Sequence, residues 1–469
     1  MRNSTPRFTP HIIVGILLSI TLWGCASYYQ QNLVLQQNIT SGNFEKADKI
    51  LSADKKGEEG KNRVLYFMNK GTVNFMMNNH EVSNAYFEKA DLYIEDFKRS
   101  AANEALALIS NSMVRPYKPE DFEAVMIHYY KSLNYLFLNQ YDEAIVEAKR
   151  VNILLHQIND KYSKSKNKYS DDAFAHNLMG IIYDASGDKN NAFIAYRNAL
   201  ELYESKYTEL FKLAAPQQLK KDILRTSYEL GFGEEHRSYK EKFNMSYEPD
   251  STETGDLVFL WMNGFGPVKD EWSINFTNTG YNNGWITLVN EQEGFSFPIY
   301  IGNKSKDQQN AYKNLSFLRV AFPKYKERKP LLFQATLTVD NSVHKLELAE
   351  NINAIAFRSL KDRMAREMAY GIARLATKKA MESIANNQDQ NIGTIVSIVN
   401  AMTEKADTRN WQSLPYAIHY SRVKLPEGNH QVTLNAKGKT NTQEQFNFEI
   451  KNNKTTFFCY HELNSQPIK

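Results

Sequence analysis

The sequence predicts an α+β protein, with an N-terminal α-solenoid of helical hairpins and a β-rich domain that contains an inserted helical pair. Residues 28–243 are poor in Pro and Gly and rich in Ala, Leu, Tyr, Glu and Lys, which favour helices. Residues 173–203 place small and aromatic side chains at the spacing of a helical-hairpin repeat. After residue 247, short apolar alternations are separated by turns rich in Asn, Gly and Asp, which is typical of strands.

The first element has the layout of a secretory signal peptide. Arg2 and Arg7 precede an apolar stretch at residues 12–22, and the small residues Gly24 and Ala26 follow it. The sequence LWGCAS, residues 22–27, resembles the lipobox of bacterial lipoproteins, in which the cysteine becomes the acylated first residue of the mature chain. That resemblance implies a signal peptide at residues 1–24 and anchoring by acyl chains such as palmitate, since two or three chains hold a protein stably in a membrane.

Leu22, Gly24 and Cys25 match the lipobox, whereas Trp23 stands where a small residue is usual. An uncleaved membrane helix is the alternative, because residues 8–44 contain no charged side chain. The polar residues directly after Cys25 favour the lipoprotein. No Asp follows Cys25, so we expect the outer membrane, facing the periplasm.

Composition narrows the remaining classes of protein. Removal of 24 of the 469 residues leaves 445, enough for two or three domains. With Cys25 acylated, Cys459 has no partner within the chain, and its apolar surroundings predict a buried, unreactive thiol. The net charge of +4 favours neither nucleic acid nor a membrane surface. We expect no cofactor and no bound metal.

The clearest repeat, at residues 173–203, matches the tetratricopeptide repeat (TPR) pattern. Small residues let two helices approach closely, aromatic residues fill the space toward the next repeat, and Gly187 begins the turn. The TPR-like positions are Gly180, Tyr183, Gly187, Ala192, Tyr196 and Ala199.

Weaker copies precede this repeat, and one of them places Tyr141 and Ala144 in the same register. The equivalent small residues lie at positions 47, 83, 144 and 192, at intervals of 36, 61 and 48 against a usual period of ~34. The sequence therefore predicts an irregular solenoid at residues 25–247. Such solenoids usually bind a peptide or protein segment. The aromatic residues at 127–138 favour the core over a binding groove.

A charged linker at residues 248–256 leads into the β-rich domain, residues 257–469. Residues 352–406 return to helical periodicity and are predicted to form the inserted pair. This amphipathic pair either dips into a membrane or packs on a sheet, and packing is the favoured interpretation.

Few residues suggest chemistry. The chain lacks the HExxH, GxSxG and P-loop patterns. Glu234, Glu235 and His236 can begin a metal site, although a solvated turn is the simpler interpretation.

Two groups are the best candidates for a binding site or an interdomain joint. In NGFGPVK, Asn263 and Lys269 flank a predicted tight turn with Gly264 and Gly266 at positive φ. The second group, Asp407, Arg409 and Trp411, either holds two domains together or binds an anionic ligand, and the joint is favoured.

Residues 114–136, 262–271 and 406–434 resemble stretches of a family of bacterial lipoproteins with an N-terminal repeat region. The family has no settled molecular function, and the resemblance implies an envelope protein linked to cell-wall synthesis or envelope assembly. We therefore expect a lipid-anchored scaffold that binds envelope proteins and is not an enzyme. An envelope hydrolase with acidic residues in the β half, and a structural subunit of an envelope or secretion assembly, are the alternatives.

Overall fold

A computed structural model describes residues 32–99, 113, 115–161, 169, 171–249, 253–388 and 405–467. About 50% of the chain is helix and about 27% is strand. The N-terminal half is helical, and the C-terminal half forms β-sheets. Cys25, the signal-like segment and residues 391–404 of the second helix predicted at residues 391–407 lie outside the described residues, and residues 405–407 are not helical.

The described helices of the N-terminal half follow helical residues 32–40 and include one π-helical turn at Tyr203–Tyr207. They are α1 (Phe44–Ala53), α2 (Lys55–Glu59), α3 (Arg63–Met76), α4 (His80–Arg99), α5 (Asp121–Phe137), α6 (Tyr141–Lys161), α7 (Ala173–Ala185), α8 (Lys189–Leu202), α9 (Thr208–Phe211), α10 (Gln217–Glu229) and α11 (Gly233–Phe243).

Five hairpin turns with the same geometry organise these helices. In each, one residue adopts positive φ and the next backbone N–H donates to a carbonyl five residues earlier, as Asp188 does to Tyr183 at 2.8 Å. Only Gly and Asn take this left-handed conformation readily, and both are common where helices end. The positive-φ residues are Gly42, Asn78, Asn139, Gly187 and Gly231. Their intervals are irregular because extra segments separate the hairpins.

Small residues bring the two helices of a hairpin together at positions twelve residues apart. The Ser83 hydroxyl donates to the Gly71 carbonyl, and the Ser132 hydroxyl donates to the Ala144 carbonyl, both at 2.8 Å. In the clearest repeat the Tyr196 ring lies directly over Gly180. Side-chain size at these crossings therefore sets how closely the helices pack.

The first helices of four hairpins (α3, α5, α7 and α10) line one side of the solenoid, here named the first-helix face. Residues 64–75 of α3 and 122–134 of α5 are buried almost without interruption. A helix becomes buried on every side only when other elements pack around it. Second helices cover one side, and the β half covers the other.

The C-terminal half contains eleven strands and two helices among its described residues. They are β1 (Thr254–Asn263), β2 (Val268–Asn282), β3 (Trp285–Asn290), β4 (Phe295–Tyr300), α12 (Lys306–Lys313), β5 (Phe317–Lys326), β6 (Leu332–Val339), β7 (Ser342–Glu350), α13 (Ile352–Gln388), β8 (Ala417–Pro426), β9 (Gly428–Gly438), β10 (Asn441–Ile450) and β11 (Thr455–Glu462).

Seven strands form one sheet in the order β10-β9-β6-β7-β8-β1-β11, and only β1 and β11 pair in parallel. The edge strands meet, with Phe446 and Phe458 ring centroids 4.9 Å apart, so the sheet curls on itself. Phe259 and its alternating neighbours in β1 fill the curled interior, whereas Leu260 and its neighbours face the solenoid. Burial on both faces explains the unbroken apolar run LVFLWM.

The other sheet has the order β4-β3-β2-β5. Helix α12 and the second half of α13 pack on one face of it, around Phe276, Val320 and Ile372. The apolar side of α13 therefore packs on a sheet. Sequence reasoning missed α12, although a capping box of Ser305 and Gln308 marks its start.

The two halves share one hydrophobic core. Buried residues of α3, α5 and α7 pack in the same cluster as Leu260 of β1, Tyr420 of β8 and Ile355 of α13. The curled sheet and the four-stranded sheet each have a smaller core of their own. The solenoid and the β half are thus joined by apolar packing as well as by the polar contacts described below.

We predict that Gly180→Ala destabilises the protein by about 1–3 kcal/mol, because overpacking a dense interior carries a penalty of this size. An added Cβ would lie 2.3 Å from the Tyr196 ring. Urea unfolding of the full chain measures the change. Gly233→Ala is the matched control, since nothing lies within 4 Å of a Cβ there. Equal effects of the two substitutions would contradict the close crossing.

Candidate functional site

Residues 405–416, here named the junction segment, precede β8 and lie on the first-helix face. The β1–β2 turn lies beside this segment, and the start of α5 contacts both. These three stretches of the chain therefore meet at one place. Among the described residues, this meeting point contains the largest group of sequence-predicted site residues.

Trp411 inserts its indole between helices of the solenoid. Its side chain is 1% exposed, and its indole N–H donates to Thr72 Oγ1 at 3.0 Å. Its ring lies 5.7 Å from that of Phe87 and 5.6 Å from that of Tyr130. Its backbone N–H donates to Glu123 Oε1 at 2.7 Å. Trp411 thus covers part of the first-helix face of the solenoid.

Arg409 makes a second connection between the halves. Its guanidinium donates to both carboxylate oxygens of Asp407, at 2.9 and 2.6 Å, and to Asn62 Oδ1 at 2.9 Å. It also donates to the Arg115 carbonyl at 3.1 Å and lies over the Tyr117 ring, 5.4 Å from its centroid. The Arg409 guanidinium therefore joins the solenoid to the junction segment, and its hydrogen bonds favour this structural role over binding of an anion.

The β1–β2 turn is held by backbone contacts. Asn263 donates from its side chain to the Leu332 carbonyl at 2.8 Å, and the N–H of Gly264 donates to the Glu462 carbonyl at 2.8 Å. Gly264 has φ +61°, as the turn predicts. The prediction is wrong for Gly266, whose φ is not positive. The Gly266 N–H donates to the Leu414 carbonyl of the junction segment at 2.7 Å, and it does not form a second tight turn.

Asn410 bonds the junction segment to this turn. Its side chain accepts from the Lys269 N–H at 3.1 Å and donates to the Pro267 carbonyl at 2.8 Å. Arg328 donates to the Gly266 carbonyl at 2.7 Å and to the Gln412 carbonyl. These bonds pair the Pro267 and Gly266 carbonyls and the Lys269 N–H of the turn with side chains of the protein.

Glu120, at the start of α5, receives two cations from the β half. Lys269 Nζ and Arg363 Nη2 both donate to Glu120 Oε1, the latter at 2.6 Å. Burial raises the pKa of Glu120, but the charges of Arg363 and Lys269 outweigh burial and lower the pKa to about 2. The carboxylate is thus ionised and paired across the junction at neutral pH.

Glu123, one turn later, is also buried. It accepts hydrogen bonds from the Tyr117 hydroxyl and from the Trp411 and Glu120 backbone N–H groups. Burial raises its pKa, and the Glu120 charge adds to this effect. Glu120 and Glu123 form the capping box that begins α5.

A second polar joint lies farther along the first-helix face. Arg422 of β8 donates to Asp184 of α7 and to Asp222 of α10, the latter at 3.2 Å. Arg225 of α10 joins the same two carboxylates. Burial raises the pKa of Asp184, but Arg422 and Arg225 together hold it well below its usual value.

A third joint brings two acidic residues together. The hydroxyls of Tyr129 and Tyr169 donate to Asp172, and the Tyr207 hydroxyl donates to Glu350 at 3.1 Å. Burial and the neighbouring Asp172 charge raise the pKa of Glu350. Both carboxyl groups line a cavity of about 10 Å³, which has room for about one water molecule.

The sequence offered signals for some joint residues that it did not identify. The segment PEDFEA contains the capping pair Glu120 and Glu123, which marks the start of a helix. Arg422 interrupts the apolar strand AIHYSRV, and a charge within a buried strand requires a partner. Nothing in the sequence pointed to Asp184 or Asp222 as that partner.

The remaining candidates have structural surroundings. His236 Nδ1 lies 3.1 Å from the Ser227 hydroxyl and 3.1 Å from the Leu224 carbonyl. The described residues contain no group of three His, Cys, Asp or Glu side chains placed to hold a metal ion. Cys459 packs against the shared core, and burial raises the pKa of its thiol. No helix in the described part of the chain has the length and apolar character needed to cross a membrane.

No protein-family model matches the chain, and no curated protein matches it. The weak matches among solved structures include MamA and RapI, which are TPR-like helical-repeat proteins. MamA from Desulfovibrio magneticus RS-1 is 15% identical, with a TM-score of 0.29, and the match covers 46% of this chain and 90% of that one. The apo form of RapI is 16% identical, with a TM-score of 0.34, covering 50% of this chain and 56% of that one. BtubC from P. vanneervenii is 12% identical, with a TM-score of 0.31, and the match covers 48% of this chain and 84% of that one.

We predict that Trp411→Ala lowers the free energy of unfolding by about 3–5 kcal/mol, the usual loss for removing a buried large aromatic side chain. Trp285→Ala is the matched control, because that indole is 45% exposed and surface substitutions change stability by about 0.5 kcal/mol. Urea unfolding of both variants provides the comparison. Equal losses would show that Trp411 does not hold the halves together.

We predict that Glu120→Gln removes a pH-dependent contribution to stability. Because the folded pKa is about 2 and the ordinary value is 4.5, the contribution is present above about pH 4.5 and is lost toward pH 2. Its size is about 3 kcal/mol, at 1.36 kcal/mol per pKa unit. Unfolding free energies of wild type and variant should therefore differ most near pH 7 and converge below pH 4.

Glu291→Gln, in the exposed β3–β4 turn, is the control for this series. Its difference from wild type should stay small across the same pH range. A difference for Glu120→Gln that does not change with pH would contradict the assigned ion pairs.

Proposed function

We propose that the protein is a non-enzymatic scaffold of the bacterial cell envelope, anchored by lipid at Cys25, that binds an envelope protein through the outer side of its solenoid. The observation that carries this proposal is the covered first-helix face. Trp411, Arg422 and Lys269 fill that face from within the same chain. A partner therefore meets the second helices, which lie on the opposite side.

The second helices expose apolar side chains at repeated register positions. Val146 and Ile194 each lie two residues after the small crossing residue of their hairpin, and Leu92 and Ile153 each lie nine residues after theirs. These side chains are 40–56% exposed. Two and nine differ by seven residues, which is two helical turns, so both positions lie on the same side of a helix. Grouped exposed apolar residues commonly mark protein-binding surfaces.

The anchor would hold this surface near the membrane. Cys25 precedes the first described helical residue, 32, by seven positions. At about 3.5 Å per extended residue, these positions span at most about 25 Å. The family resemblance and the residues after Cys25 support the outer membrane, with the protein facing the periplasm.

Site-specific photo-crosslinking in cells tests the scaffold. A photoreactive amino acid at Ile153 or Ile194 should yield one dominant crosslinked protein. The control position is Tyr370 on α13, which is 65% exposed and lies outside the solenoid. The absence of a dominant product at both solenoid positions would refute the outer surface as the binding site. A product containing only this chain would instead favour a self-assembling structural subunit.

The anchor has a separate test. Intact mass of the membrane-purified protein should correspond to a chain that begins at residue 25 and carries acyl groups. Cys25→Ala should lose that mass. An unmodified chain that retains its N-terminus would overturn the lipid anchor and support an uncleaved helix.

A further inference from the structure

In the described part of the chain, the face of the four-stranded sheet opposite α12 and α13 presents exposed side chains. Trp285 of β3 and Tyr300 of β4 are paired across neighbouring strands on this face. Their ring centroids lie 5.0 Å apart, at an angle of 54° between the planes. Trp285 is 45% exposed and Tyr300 is 48% exposed. Two large aromatic rings thus lie side by side on this exposed face, away from the junction segment.

Two glycines allow the Tyr300 ring to pack closely against the backbone. A Cβ added at Gly284 would lie 2.8 Å from the Tyr300 ring, and one added at Gly302 would lie 2.6 Å from its hydroxyl oxygen. The N–H of Ile301 donates to the Gly284 carbonyl at 2.7 Å, which joins the two segments. The ring therefore packs against the backbone on one side, and its 48% exposure leaves the other side to solvent.

The outward positions nearest the two rings carry mostly hydroxyl, amide and apolar groups. Inward residues such as Ile286 and Leu288 alternate with them and are buried. The outward residues around the rings are Ser273, Asn275, Thr277, Asn282, Trp285, Thr287, Val289, Ser296, Pro298, Tyr300, Phe317, Arg319 and Ala321. Arg319 is the charged residue among them, and the same alternation reaches a carboxylate farther along β2 at Glu271, which accepts from the Ala406 N–H at 2.7 Å.

We propose that this face is a binding platform for a neutral polysaccharide chain, with Trp285 and Tyr300 as its stacking residues. The apolar face of a sugar ring loses water when it packs on an aromatic ring. The neighbouring hydroxyl and amide groups match the hydroxyl groups of a sugar. A surface with almost no charge suits a ligand without charge and gives little attraction to anionic lipids.

The edge of the sheet disfavours a different occupant, an added peptide strand. Strand β4 is the free edge next to the platform, and Pro298 lies at its middle. Proline has no N–H to donate to an incoming strand, and natural edge strands use it to prevent pairing. The open face, rather than the edge, is therefore the surface available to a ligand.

Native gel electrophoresis through gels that contain soluble neutral polysaccharides tests this proposal on the full-length chain. Suitable probes are hydroxyethylcellulose, a mixed-linkage β-glucan and a galactomannan. At least one should retard the wild-type protein. Trp285→Ala and Tyr300→Ala should each weaken the retardation at least ten-fold. Gly302→Ala, which displaces the Tyr300 ring without removing it, should weaken it as well.

Phe333→Ala is the matched control, because Phe333 is a 58% exposed aromatic residue on a strand of the other sheet. It should leave the retardation unchanged. Unfolding midpoints equal to wild type show that the three platform variants remain folded. No retardation by any probe, or equal retardation of wild type and Trp285→Ala, would overturn the proposal. Binding to phosphatidylcholine vesicles without binding to the polysaccharides, if lost in Trp285→Ala, would assign the platform to a membrane instead.

Discussion

The burial of carboxylates on the first-helix face is the constraint on which the structure depends. Glu120, Asp184 and Asp222 belong to the solenoid, yet Lys269, Arg363 and Arg422, which bond to them, belong to the β half. A buried charge that loses its partner destabilises a protein by several kcal/mol. Glu120 is paired with Lys269 and Arg363 of the β half, whereas Asp184 and Asp222 are shared between Arg422 of the β half and Arg225 of the solenoid. The shared apolar core also requires both halves, because each half buries apolar side chains of the other. The two halves therefore form a single cooperative structure.

This constraint also gives a physical reason for the irregular repeats. The segments between hairpins, which lengthen the period beyond that of a regular solenoid, supply contacts to the β half. Tyr117 and Arg115 lie before α5 and both contact Arg409, and Tyr207 lies after α8 and contacts Glu350. A regular array leaves its inner face free for a partner, whereas these insertions shape the face around the chain's own β half.

The helical hairpins and the strands could be predicted from the sequence because their signals are local. Small residues twelve apart, left-handed turn residues and apolar alternation all act over a few residues. The joints could not be predicted, because Arg422 and Asp184 are 238 positions apart and no local pattern pairs them. Helix α12 lacks a long apolar stripe, so its capping box was the available signal. The sequence indicated Asp407, Arg409 and Trp411 by composition, but it gave no information on the solenoid residues that receive them.

The parallel pairing of β1 with β11 has a consequence for the order of folding. Strand β1 lies near the middle of the chain, but the strand on one side of it is the last one, Thr455–Glu462. A chain that emerges N-terminus first therefore completes its solenoid long before it can complete the seven-stranded sheet. Until the final strand has paired, the β half does not fully cover the acidic residues on the first-helix face of the solenoid. Slow, non-local pairing of this kind exposes a new chain to aggregation until the last strand has paired.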